Sequence, residues 1–387
     1  MKRTLALGGL VATAGLLAAG LAAPAQAAGD VASKPLATTK IAAKNILAYW
    51  YAENAAALKG ATPYNTETKV VAKHISKGGP APDSKPGIVP AIGDEKKAAG
   101  KSKNVNLPRT TGKVFFIGAD KQAHWCTATS IQSAYKNLVA TAGSCVYDTE
   151  SNAATLDYWV FIPGYYQGKT PYGIYVGKQA FTHYDFDVYE DADRNYAFVT
   201  VYNGIKAENG RPEFAKKEVT KAEYDQANKW LRLPVEGDKY YIKNGFVDAG
   251  ALGANVGGQG LAYNQKVGKP VFVFGYPSGS HPDGNQAYSG HTLKWTYGKT
   301  FAVQAPAIKG EELVGTKSSF TGEGALGSSW LVNYNNGRRI GYLNGVTIGV
   351  SDTDNNNRYD TSFSPYFDGE LAGVYNAAKN LWSGSIV

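Results

Sequence analysis

The sequence has two cysteines and five histidines in 387 residues and, beyond its first two dozen positions, no apolar run long enough to cross a bilayer. Net positive charge is also missing where the bulk of the chain lies. The formal charge is +8, but residues 29–113 hold fourteen Lys/Arg against six Asp/Glu, and the leader contributes two more cations. Residues 114–387 are therefore weakly acidic, which argues against a nucleic-acid partner for the main domain. The cations of 29–113 are spread out rather than clustered, as on a solvated segment or a weak contact to an acidic surface.

What is present begins with a leader. Met1, Lys2 and Arg3 precede an apolar stretch over residues 5–22, and Ala25-Gln26-Ala27 follows as an A-x-A exit. Residues 1–27 read as a secretory signal peptide. The alternative of a membrane anchor is weakened by the Ala and Gly content and the small-residue exit. A secreted chain with no later membrane segment is expected, and its cysteine pair then suggests one disulfide, Cys126–Cys145. Closing a loop of roughly twenty residues is worth about 3 kcal/mol.

Residues 28–110 read as a basic pro-like segment. An apolar stripe of Ile41, Ile46, Leu47, Trp50 and Tyr51 predicts a helix over 40–58. The Lys-, Gly- and Pro-rich stretch 60–110 has linker composition. From residue 114 the character changes to short aromatic and β-branched runs between Gly and Asn turns. Ten strands are predicted, at 114–117, 125–131, 138–141, 158–162, 174–182, 196–202, 270–276, 291–297, 330–334 and 340–348. An inserted segment at about 205–250 carries Thr220 and Glu223 as a capping box, predicting a short helix packed on the barrel. A helix over 369–382 closes the chain. The Asx-rich run Asp352, Asp354, Asn356, Asp360 has Asn357 and Phe363 where a calcium-binding EF-hand loop needs Gly and Glu, so a hairpin turn is expected instead.

Three segments in chain order resemble the trypsin-like serine peptidases, more closely their glutamyl-endopeptidase-like actinobacterial branch. Trp125-Cys126-Thr127-Ala128-Thr129 with Ala140-Thr141-Ala142-Gly143-Ser144-Cys145 is similar to the family's cysteine strand and T-A-A-H-C turn, with Ser144 at the histidine position. Asn195-Tyr196-Ala197-Phe198-Val199 resembles the strand that begins with the family's aspartate, with Asn195 in its place. Thr321-Gly322-Glu323-Gly324-Ala325-Leu326 with Trp330-Leu331 is similar to the nucleophile loop, with one extra residue and Leu326 at the serine position. Phe274-Gly275-Tyr276-Pro277 and Gly341-Tyr342-Leu343-Asn344-Gly345 add support. The resemblance covers about 114–380. It implies an all-β domain over 111–387, built as two orthogonally packed six-stranded antiparallel barrels.

Acyl transfer in this family needs an attacking oxygen, a base near neutrality and an acid to orient it. The resemblance therefore implies a secreted homologue that has lost its chemistry and keeps the cleft for a protein or peptide ligand. Gly324 remains a candidate oxyanion-hole amide. The alternative is an active endopeptidase with a rearranged site, using Ser328 or Ser329 and one of His124, His183, His281 or His291. His183 is expected at the surface or in a turn. No cofactor and no metal are expected.

Overall fold

The computed structural model describes residues 30–64, 70–95, 104–149, 155–207 and 216–387, so the leader expected at 1–27 lies outside the described residues. Six strands form a closed antiparallel barrel. In ladder order they are Asp157–Pro163, Thr111–Ile117, Ala123–Ile131, Leu138–Thr141, Ala197–Val201 and Tyr175–His183, and the last pairs back to the first through Val160 with Val176 and Phe161 with Tyr175. Successive side chains of a strand point to opposite faces. Val114 and Phe116 accordingly enter the barrel core with Cys126, Ala128, Trp159 and Phe161, whereas Phe115 and Ile117 join a second cluster on the outer face.

That outer face is dry because the helix Lys40–Gly60, broken at Ala52–Ala55, lies across it. Trp50 is fully buried there; its ring meets Phe115 edge-on at 5.8 Å and its Nε1 donates to the Tyr158 carbonyl at 2.7 Å. Both faces of Thr111–Ile117 are thus apolar environments, which is why its sequence shows no polar alternation.

The second half is laddered as two sheets. One runs Lys294–Lys299, Pro270–Gly275, Ser329–Asn335, Ile340–Val346, Gly260–Tyr263, and the other Gly349–Ser351, Thr361–Pro365, Gly310–Lys317, Phe301–Ala305. The chain passes between them at Thr300, where Lys294–Lys299 leads into Phe301–Ala305. On the other side Val346 N–H donates to Ser364 Oγ at 2.9 Å and Ile348 N–H to the Phe363 carbonyl at 2.9 Å. The helix Gly369–Ala378 packs Leu371, Val374 and Tyr375 into the shared core, with Asp368 as its N-cap. It ends four residues short of the expected 382.

The N-terminal segment is stitched to every large sheet. Val31–Pro35 pairs with Tyr175–His183, Thr62–Pro63 with His124 and Trp125, Lys73–His74 with Val303 and Gln304, and Gly87–Val89 with Leu261 to Tyr263. Strand addition uses backbone groups and so tolerates a Lys-, Gly- and Pro-rich sequence. In the insert the capping box is formed, with Thr220 and Glu223 bonded reciprocally ahead of the helix Lys221–Gln226. It abuts the N-terminal helix, with Asn45 Nδ2 donating to the Gln226 carbonyl and Asn45 Oδ1 accepting from Asn228 N–H, and Ala227 and Leu231 just beyond it join the cluster on the outer face of the barrel. Among the described residues no helix is long and apolar enough to cross a membrane.

Candidate binding cleft

The disulfide Cys126–Cys145 ties the 3-10 turn Gly143–Cys145 to the strand Ala123–Ile131. Ser144 rides on that turn, buried, and its backbone N–H donates to Asn195 Oδ1 at 3.0 Å. Asn195 is presented by the end of the 3-10 turn Ala192–Arg194, immediately before the strand Ala197–Val201. Two of the positions singled out by sequence are therefore in direct contact, through a backbone amide rather than between side chains. Together with Phe186, Ala192, Ile308 and Ile348 they line a cavity of about 20 Å³, the size of a water site. Among the described residues the Ser144 hydroxyl has no hydrogen-bond partner.

Leu326 is fully buried in the core cluster that also contains Cys126 and Cys145. Its carbonyl accepts from Thr127 N–H at 2.9 Å, the residue next to Cys126, so the loop lies against the disulfide-bearing strand. Two left-handed glycines shape this loop. At Gly324 (φ 72°) an added Cβ would sit 2.2 Å from the Trp125 ring, and at Gly327 (φ 78°) 2.0 Å from the Thr127 carbonyl oxygen. Only glycine adopts these turns at such close approach.

Both loop serines are engaged internally. Ser328 Oγ donates to the Ala325 carbonyl at 2.6 Å, and Ser329 Oγ meets Thr111 Oγ1 at 3.3 Å. The histidines lie elsewhere. His124 Nδ1 meets Thr62 Oγ1 at 2.9 Å while its Nε2 is 3.0 Å from both oxygens of Asp120. His183, expected at the surface or in a turn, sits at the turn before the helix Tyr184–Tyr189 and is buried there, its Nδ1 capping the helix by accepting from Asp185 N–H at 3.2 Å. His281 Nδ1 accepts from Tyr359 N–H at 3.0 Å, and burial holds its pKa below the usual value, with the Arg358 charge adding to the effect. Among the described residues no imidazole is hydrogen-bonded to a serine hydroxyl, and the one hydroxyl–imidazole contact is that of Thr62.

The Gly324 amide points to the N-terminal segment: it donates to the Tyr64 carbonyl at 3.1 Å. Beside it Trp125 covers Lys113, a residue that sequence reasoning passed over. Lys113 is buried, with Nζ 3.2 Å from the Trp125 ring centroid, 4.4 Å from Tyr165 and 5.5 Å from Tyr276. Burial lowers its pKa to about 6. The signal was its register, since Lys113 shares the outer, buried face of its strand with Phe115 and Ile117. The run Asp352 to Asp360 forms a turn between the paired strands Gly349–Ser351 and Thr361–Pro365. There Asp352 accepts from Asn356 and Asn357 N–H, and Asn356 from Arg358 N–H.

This arrangement, a closed six-stranded barrel packed through a shared core on a second β unit with a loop and a disulfide-held turn between them, is the trypsin-like serine-protease fold. The protease Anisep from Arthrobacter nicotinovorans matches with a TM-score of 0.50 at 22% identity, over 71% of this chain and 98% of that one. A thermostable serine protease, AL20, from an extremophilic microorganism matches at 0.49 and 21% identity, over 70% and 97% of the two chains. A Glu endopeptidase matches at 0.44 and 14%, over 74% and 98%. The Anisep match shows a common fold. No protein-family model and no curated protein matches the sequence.

Proposed function

We propose that the protein is a secreted, non-catalytic homologue of the trypsin-like serine proteases, using the cleft as a binding surface for a protein or peptide. The observation that carries this reading is the chemistry at the three positions named by resemblance. Ser144 offers no imidazole, Asn195 no charge, and the Leu326 side chain no oxygen, and the nearby Ser328 hydroxyl is spent on the Ala325 carbonyl. Proton transfer from a serine needs a base within hydrogen-bond reach, and among the described residues each imidazole with a side-chain partner is committed to other groups. Loss of a serine-protease triad typically costs about a millionfold in turnover. Secretion is supported by the leader composition and by the disulfide, which belongs to an oxidising compartment.

Incubation of the purified full chain with fluorescent casein tests the reading. No release above buffer is expected. Turnover that Ser328→Ala or Ser329→Ala abolishes would establish the rearranged endopeptidase instead.

A further inference from the structure

We infer that the Trp125 carbonyl and the Gly324 amide, with His124 beside them, form a peptide-binding subsite that is filled in cis by Thr62, Pro63 and Tyr64. Its ligand class is an extended segment carrying a hydroxyl residue, a proline and an aromatic residue in that order. The inference rests on the reading of the cleft as a binding surface and names what that surface recognises.

Every residue of the occupant is engaged. Thr62 Oγ1 meets His124 Nδ1 at 2.9 Å, with the imidazole held from its far side by Asp120. Pro63 lies opposite Trp125 in a two-residue parallel ladder and has no N–H left unsatisfied. Tyr64 uses both backbone groups, its N–H donating to the Trp125 carbonyl at 2.9 Å and its carbonyl accepting from Gly324 N–H at 3.1 Å. Its ring is buried, edge-on to Phe116 at 5.1 Å and 5.4 Å from His124. Main-chain pairing supplies affinity and side-chain pockets supply selectivity in this mode of recognition. Beside the segment an open hollow of about 380 Å³, lined in part by Gly60, Thr62, Asp120 and His124, leaves space for an incoming chain.

Because the occupant is tethered by the packed helix Lys40–Gly60, its effective concentration is high, and a ligand in trans must displace it. The wild-type protein is therefore self-occluded at this subsite. A fluorescein-labelled hexapeptide with the sequence of residues 61–66 (Ala-Thr-Pro-Tyr-Asn-Thr) provides the probe.

It should fail to bind the wild type and bind saturably to the double variant Thr62→Ala/Tyr64→Ala, whereas the same peptide with Ala in place of Tyr should bind neither. Hydrogen exchange at Gly324 should be about tenfold faster in the double variant and slow again with peptide. If the double variant does not fold, Thr62→Val alters one exposed residue and should accelerate Gly324 exchange in the same direction. Unchanged Gly324 exchange in a folded variant, or equal peptide binding by wild type and variant, would overturn the inference. Casein turnover would sink the non-catalytic reading and leave the exchange result standing, so the two failures are distinct.

Discussion

The Ser144 amide and the Asn195 side-chain oxygen are 3.0 Å apart and join the disulfide-held turn to the strand Ala197–Val201. An amide oxygen serves this purpose as well as a carboxylate, because the partner is a neutral N–H. Asn195→Ala should destabilise the fold by about 1–3 kcal/mol, the cost of a buried donor left unpaired. Asn195→Asp, which keeps the acceptor, should lie within about 1 kcal/mol of wild type. Urea denaturation of both variants checks this; equal losses would mean that the contact contributes nothing.

Lys113 makes stability depend on pH with a definite sign. Its folded pKa, lowered to about 6 by burial, lies below the unfolded value of about 10.4. Between those values the unfolded chain holds a proton that the native state has released, so stability rises with pH across the window, by at most ~1.4 kcal/mol per unit. Below about pH 6 both states are protonated and the slope vanishes. Stacking on Trp125 favours the charged form and reduces the total. Lys113→Met should be more stable than wild type near neutrality and lose this slope; parallel pH–stability curves for the two proteins would refute the assignment.

Replacing Cys126 and Cys145 together by Ala should cost about 3 kcal/mol, since the bond closes a loop with a sequence separation of 19. The same change should loosen the turn carrying Ser144, visible as faster hydrogen exchange at that amide. Thermal melting of the double variant gives the first quantity, and a melting temperature unchanged from wild type would contradict it.

Trp50 measures how far the N-terminal segment belongs to the fold. Trp50→Ala should cost about 3–5 kcal/mol, the range for a large buried aromatic. Calorimetry should show one transition at lower temperature. A second, separate transition, or no change, would mean that the segment is only appended.

The strands that could be read from sequence are those whose side chains declare burial. Leu138–Thr141 was legible to the residue, and Pro270–Gly275 nearly so. Thr111–Ile117 starts three residues before its apolar run because Gly112 and Lys113 are carried by ladders on both sides and Thr111 by the one to Ala123–Ile131. Phe301–Ala305 and Gly310–Lys317 were passed over, the second because GEELVGTK spreads charge and glycine through a strand held by its neighbours. Residues 60–110 have linker composition, yet their short strands dock through backbone pairing that leaves no mark in side-chain pattern.

At the cleft the same division holds. Ser144 and Asn195 were legible by resemblance, since short motifs preserve the turns that present them. The contact between Tyr64 and Gly324 was not, because a carbonyl and an amide from distant parts of the chain carry no residue-type signature.

Covalent reaction with a fluorophosphonate probe, read by intact mass and peptide mapping on the purified protein, tests the loss of chemistry most directly. The account predicts an unmodified mass after prolonged exposure, with Ser144, Ser328 and Ser329 all free of label. A stoichiometric adduct on any of these serines would contradict it.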